Sequence, residues 1–219
     1  MEAHILADLS FQAASAGDAA DGVMLGEAAH HTAEHATGSV QASVLSRLAF
    51  AYATAGRIDD CERAWLDARE RMSSGRREGE PDWMYYLTPG HIDCQAGYAM
   101  IHAGRELIVA GDAGRGRATL RKGEQLLRTG AYARPSTAPN QRRALFEGAW
   151  LALGYTAHGK LDDACAVTRM ALPRLESVRS PRSTALLRSL AGELRRRKRN
   201  QAVAELLPDL DNALATRGG

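Results

Sequence analysis

Two segments of the chain carry the same order of small, aromatic, apolar and charged positions. One begins at Ala51 and reads AYATAGRIDDCERAWLDAR; the other begins at Gly154 and reads GYTAHGKLDDACAVTRMAL. Both run small residue, Tyr, three residues, Gly, basic, aliphatic, Asp, Asp. Such self-similarity predicts an array of repeated units. Each copy predicts a helix, a tight turn and a second helix. Tyr52 and Tyr155 fall near the end of the first helix. Gly56 and Gly159 fall where a left-handed C-cap is required, a conformation that costs glycine nothing. Asp59, Asp60, Asp162 and Asp163 fall in the first turn of the second helix, where a carboxylate can cap free N–H groups and meets the positive end of the dipole.

Bulky and small positions alternate within each pair. Leu45, Leu48, Ala49, Tyr52, Cys61, Trp65 and Ala68 form one set; Leu151, Ala152, Tyr155, Ala164, Thr168 and Ala171 form the other. The small members are expected at the helix crossings. Weaker copies fill the rest. Leu9, Ser10, Ala13, Gly17, Gly22 and Ala29 follow the same offsets, as do Ala103, Gly104, Leu107, Gly111, Gly116, Leu120 and Gly123. In the middle copy two registers are open, because Gly104-Arg105 could itself be the turn. Stretches rich in Gly, Pro and Ser, over residues 73–82 and 129–140, predict longer connections. Ser180-Pro181 reads as an N-cap followed by the first helical residue, starting a helix to about Lys198. A short helix after Asn200 completes a terminal cap.

Composition supports this reading. The chain holds 40 Ala and 25 Leu against 7 Val and 5 Ile among 219 residues, which favours helices and argues against a β-sandwich or barrel. The spacing of large and small residues resembles that of tetratricopeptide repeats. The expected fold is therefore an all-α, right-handed α-solenoid of about four such helix pairs, with a C-terminal capping pair. It forms a single domain over residues 1–219, with repeats near 3–36, 40–72, 91–128 and 141–178 and the cap at 180–216.

A second resemblance covers residues from about 40 to 215. Asp82-Trp83-Met84-Tyr85-Tyr86 with Gln95-Ala96-Gly97, Arg142-Arg143-Ala144-Leu145 with Leu151-Ala152-Leu153-Gly154, and Gly159-Lys160-Leu161-Asp162-Asp163-Ala164-Cys165 with Val178-Arg179-Ser180 look like segments of actinobacterial regulators. Those proteins carry an Xre-type helix-turn-helix and a C-terminal tetratricopeptide-like domain. The resemblance implies the partner- or peptide-sensing part of a transcriptional regulator. The alternative is a stand-alone repeat scaffold or adaptor. No helix-turn-helix precedes the repeats in this sequence, so no direct DNA binding is expected of the chain alone. The middle segment also departs from the family, with an extra turn around residues 105–110 and a break at Thr88-Pro89.

The first helix of each pair is expected to line an inner groove. Its candidate residues are Phe11, Ser46, Phe50, Tyr98, Ile101, Arg105, Phe146 and Leu153, with His4 beside them. Such an apolar groove suits a short peptide or a partner helix. Ser46 and Phe50 occupy slots where a carboxylate clamp would need basic or amide side chains. Trp83, Tyr85 and Tyr86 form a candidate partner surface, since aromatics with polar tips are frequent at interfaces. A buried staple at an irregular junction is the plainer reading of that cluster.

Other groups point less far. His31 and His35, four apart, could share a metal ion with Glu27 or Glu34, but no third ligand is apparent, an exposed polar helix face is the plainer reading, and no metal or cofactor is expected. His91 and Asp93 beside Cys94 suit a helix cap. Residues 182–199 hold seven basic side chains and one acid, able to touch phosphate or an acidic partner, or simply to complement a helix C-terminus. Net charge is +2 overall. No nucleophile motif, phosphate loop or paired carboxylates appear, so the expectation is a non-enzymatic, protein- or peptide-binding chain. Three unclustered cysteines suit a reducing compartment, and no leader or membrane span is seen, which places it in the cytoplasm. A homodimer is compatible with all of this.

Overall fold

Left-handed glycine turns punctuate the helices. The computed structural model describes residues 1–73, 79–133 and 138–216. Among these the helices are α1 (Glu2–Ala16), α2 (Ala19–Thr32), α3 (Gly38–Thr54), α4 (Ile58–Ser73), α5 (Pro89–Val109), α6 (Ala113–Ala131), α7 (Ala138–His158), α8 (Leu161–Ser177), α9 (Pro181–Arg195) and α10 (Gln201–Ala215), with a 3-10 turn at Asp82–Met84. The fold is all-α and built of successive helix pairs.

Four of the pair turns share one geometry. Gly17, Gly56, Gly111 and Gly159 have φ of 98°, 74°, 93° and 81°. In each turn the N–H after the glycine reaches back five residues: Asp18 to the Ala13 carbonyl, Arg57 to Tyr52, Asp112 to Leu107 and Lys160 to Tyr155, at 2.8–3.0 Å. This pairing satisfies carbonyls that the helix end would otherwise leave open. The middle copy thus turns at Gly111. Gly104 and Arg105 lie inside α5, and the extra turn expected around 105–110 is helix through Val109. Gly114-Arg115-Gly116-Arg117, which reads as a loop or irregular start, is the first turn of α6. Of the connection expected over 73–82, residues 74–78 lie outside the described residues. Of that over 129–140, residues 134–137 do, and helix occupies most of the remainder.

The chain divides into two compact units, Met1–Thr119 and Leu120–Gly219. In the first, α1 packs on α2 and α3 on α4, and α3 also touches α1, α2 and α5. Arg47 is the one charged residue in α3, and almost every other side chain of the helix is buried. A helix apolar or small on all sides belongs inside, and this one is enclosed on several sides. Small residues permit the close crossings. Ala49, Cys61 and Ala68 are buried as expected. Ser10 Oγ donates to the Gly22 carbonyl at 2.6 Å across α1 and α2. A Cβ on Gly116 would sit 2.8 Å from the Gly104 carbonyl oxygen, which shows how closely α6 lies on α5.

In the second unit α7 packs on α8 and α9, and α10 packs on both α8 and α9. Ala152, Ala164 and Ala171 are buried at its crossings. Ser180 caps α9 through the Ser183 N–H with Pro181 at the first helical position, and Asn200 caps α10 through Val203. Helix α9 ends at Arg195 rather than near Lys198. No helix among the described residues is long and apolar enough to cross a membrane.

Candidate functional site

The expected groove residues fall mostly inside the units. Phe11, Phe50 and Tyr98, from α1, α3 and α5, pack on one another with ring centroids 4.7, 5.6 and 6.1 Å apart. Phe50 is 3% exposed, and Ile101 and Leu153 have no exposed surface. Ser46 is buried and donates to the Ser43 carbonyl at 2.8 Å within its own helix. These side chains are core rather than the wall of an open groove, because α3 and α5 are enclosed by neighbouring helices. Arg105 in the first unit and Phe146 in the second are half-buried and keep some contact with solvent.

Beside the aromatic stack lies a polar cluster. Arg47 donates from Nε to Asp8 Oδ1 at 2.6 Å and from Nη1 to the Ser43 carbonyl at 3.1 Å, joining α3 to α1. His4 Nε2 lies 3.7 Å from Asp8 Oδ2. Burial, and then the Arg47 charge, lower the His4 pKa and keep the ring neutral at pH 7.

His4 also carries the Trp83 ring, at 4.9 Å between centroids. Trp83 belongs to the aromatic segment, whose side chains divide between core and surface. Met84 and Leu87 are buried and anchor it. Trp83 is 39% exposed and Tyr85 73% exposed. Tyr86 is half-buried, edge-on to Tyr85 at 6.1 Å and tilted against His91 at 5.6 Å. The segment is therefore both staple and surface: two apolar residues fix it, and three aromatics lie at or near solvent. Thr88 then caps α5 through the His91 N–H at 3.1 Å.

Two other expectations change. Asp93 is no cap; it accepts from Trp65 Nε1 at 3.0 Å and pairs with Arg69 Nε at 3.1 Å, tying α5 to α4. His31 and His35 do not share a helical face. Helix α2 ends at Thr32, and His31 Nδ1 pairs with Glu34 at 2.8 Å. Gln41 holds the carbonyls of Glu34 and Ala36, fixing the chain in its turn toward α3. No group of three or more His, Cys, Asp or Glu side chains suited to a metal ion occurs among the described residues.

A device that no local sequence pattern encodes connects successive pairs. In the turns at Gly17 and Gly111, the next residue is Asp, which caps its own helix: Asp18 through Asp21 N–H and Asp112 through Arg115 N–H, each at 3.1 Å. In the turns at Gly56 and Gly159 the next residue is a cation lying over the preceding tyrosine, Arg57 at 4.3 Å from Tyr52 and Lys160 at 5.5 Å from Tyr155. Each cation also reaches a carboxylate on the second helix of the pair before. Arg57 Nη1 meets Glu27 at 3.2 Å, and Lys160 Nζ meets Glu124 at 2.6 Å. Tyr52 donates to Glu27 at 3.0 Å, and His158 Nδ1 lies 2.7 Å from buried Glu124. The repeated Tyr and basic positions were visible in the sequence. Their acidic partners, 25 and 31 residues before each tyrosine, stand in no fixed spacing.

The clasp makes a pH prediction. Burial, and then the Glu27 carboxylate, push the Tyr52 hydroxyl up to about 12; burial, and then the neighbouring Tyr132 hydroxyl, push Tyr155 to about 12. An unfolded chain releases these protons near pH ~10. The stability they contribute is therefore complete below that pH and is lost as pH rises from there toward 12. Chemical denaturation at stepped alkaline pH should show this fall, with two tyrosinates forming near pH 12 in an ultraviolet titration of the folded protein. Ionisation of both at the unfolded value would refute it.

No family model matches the chain, and no curated protein does. Among solved structures, a kinesin light chain of Podosopora anserina with nearly identical TPR-like repeats is similar over 97% of this chain and 95% of that one, at 16% identity and a TM-score of 0.48.

Proposed function

We propose that this protein is a non-enzymatic interaction module that holds a partner protein at the aromatic segment of its first unit. The observation that carries this reading is the outward placement of Trp83 and Tyr85 on a segment anchored by Met84 and Leu87. Rigid aromatic side chains bury large area at small entropic cost, and Trp and Tyr are enriched among residues that dominate binding energy. The enclosed groove residues favour an adaptor whose partner docks on this surface over a clamp that draws a peptide between its inner helices. The resemblance to regulator segments supports the finer reading of a partner-sensing part of a bacterial transcriptional regulator. In that reading Arg105 is the member of the first unit's groove set that keeps contact with solvent.

The test is capture from a lysate of the native host by the wild-type chain and by Trp83→Ala/Tyr85→Ala. The double variant should keep its helical circular dichroism and weaken partner binding roughly tenfold or more. Undiminished capture by the double variant would refute the aromatic surface. A helix-turn-helix protein among the captured partners would support the regulator reading, and its absence would leave the adaptor.

A further inference from the structure

The turn between α9 and α10 carries four consecutive cations, Arg196, Arg197, Lys198 and Arg199. Helix C-termini attract cations, which would explain one or two of them. Here, however, the negative end of α9 meets the positive end of α10 at the same turn. The two partial charges oppose each other, so helix dipoles do not account for a surplus of this size. Side-chain pairing does not either. Arg195 is matched by Asp211 at 2.5 Å, and Arg197 Nη1 donates to the Glu193 carbonyl at 2.9 Å. On α10, Glu205 is engaged by Gln201 at 2.9 Å and lies 3.7 Å from Arg169, while Asp209 faces the cleft between α8 and α10 with Leu172 and Ala213. Arg196, Lys198 and Arg199 are exposed, as is Arg188, seven residues before Arg195 on the same face of α9.

The turn is also fixed. The Arg197 N–H reaches the Leu194 carbonyl at 2.7 Å, the Asn200 N–H reaches the Arg197 carbonyl at 3.0 Å, and Asn200 caps α10. Four consecutive cations thus stand on a turn whose backbone is fixed by hydrogen bonds. A ligand complementary to so concentrated a positive charge has a high linear charge density. Duplex nucleic acid carries about one charge per 1.7 Å of axis and releases condensed counterions when cations neutralise its phosphates. An acidic peptide, with at most one charge per ~3.3 Å of extended chain, carries about half that density. Arginine forks fit phosphate oxygens, and no aromatic side chain interleaves the run as a single-strand site would use.

From this we infer that Arg188, Arg196, Lys198 and Arg199 form a docking surface for the phosphate backbone of duplex nucleic acid, without reading its sequence. This departs from the expectation of no direct DNA contact and does not depend on the aromatic surface.

The experiment measures fluorescence anisotropy of a labelled mixed-sequence DNA duplex titrated with the full chain at several salt concentrations. Four phosphate contacts give a slope of log affinity against log salt of about −3.5, hence roughly a hundredfold loss between about 50 and 200 mM salt. The variant Arg196→Gln/Lys198→Gln/Arg199→Gln, with unchanged circular dichroism, should bring that slope to about −1. Arg169→Gln, outside the surface, should leave it unchanged. No binding at the lowest salt, or a triple variant with the wild-type slope, would overturn the inference. So would a poly-glutamate competitor that binds more tightly than the duplex, which would assign the surface to an acidic protein segment.

Discussion

Phe50→Glu should unfold the first unit. Phe50 is 3% exposed and packed against Phe11 and Tyr98, so the substitution removes a core ring and places a carboxylate in its space. Truncating a buried Phe to Ala costs about 3–5 kcal/mol by itself. Glutamate adds the cost of desolvating its charge, or of taking up a proton to avoid it. A domain has roughly 5–15 kcal/mol of net stability, so this one change consumes most of the margin. Circular dichroism should show lost helicity or a broad, strongly lowered melting transition at pH 7. Phe50→Leu should melt close to wild type, because the site stays apolar. A Phe50→Glu chain that melts like wild type would mean that this face is open to water, and the groove reading of Phe11, Phe50 and Tyr98 would return.

Gly116→Val should also destabilise the first unit, for a different reason. A Cβ there would lie 2.6 Å from Ile108 Cγ1, 2.8 Å from the Gly104 carbonyl oxygen and 3.1 Å from the Ile108 nitrogen. The isoleucine side chain can rotate away, but the two backbone atoms cannot, so α5 and α6 must separate. Overpacking of this kind costs about 1–3 kcal/mol and sometimes more. Gly114→Val, two residues earlier, is the control: the only atom near its added Cβ is Asp112 Oδ1 at 3.9 Å. Thermal melts of the two variants should differ clearly, the Gly116 variant lower. Equal melting temperatures would show that α5 and α6 do not cross closely at this point.

The polar cluster of His4, Asp8 and Arg47 links the aromatic segment to the first helices, since His4 both supports Trp83 and rests on the ion pair between α1 and α3. A partner docking on Trp83 would thus press on the packing of the first two pairs. The cation–tyrosine clasps at Tyr52 and Tyr155 hold the α3/α4 and α7/α8 pairs to the helix before each.

Local information in the sequence was enough for the repeat and most of its turns. Glycine at a left-handed position, Ser180-Pro181, Asn200 and small residues at crossings each act over a few residues, so their meaning survives without tertiary context. Gly104 and Gly111 both satisfy the requirement for a turn. Their roles were decided by the assembled helices: Gly111 takes the left-handed turn, while Gly104 lies inside α5, its carbonyl facing the close approach of Gly116 on α6. The site was legible only in part. Trp83, Tyr85 and Tyr86 could be named, but which faced solvent followed from Met84 and Leu87 turning inward. Asp93, Glu27 and Glu124 found partners at distances along the chain that no local pattern encodes. Most of the expected groove residues are enclosed, and the sequence does not show this because an apolar first helix looks the same whether it lines a groove or is surrounded. Helical period identifies the apolar side of a helix, while the number of neighbours that cover it is a property of the assembled units alone.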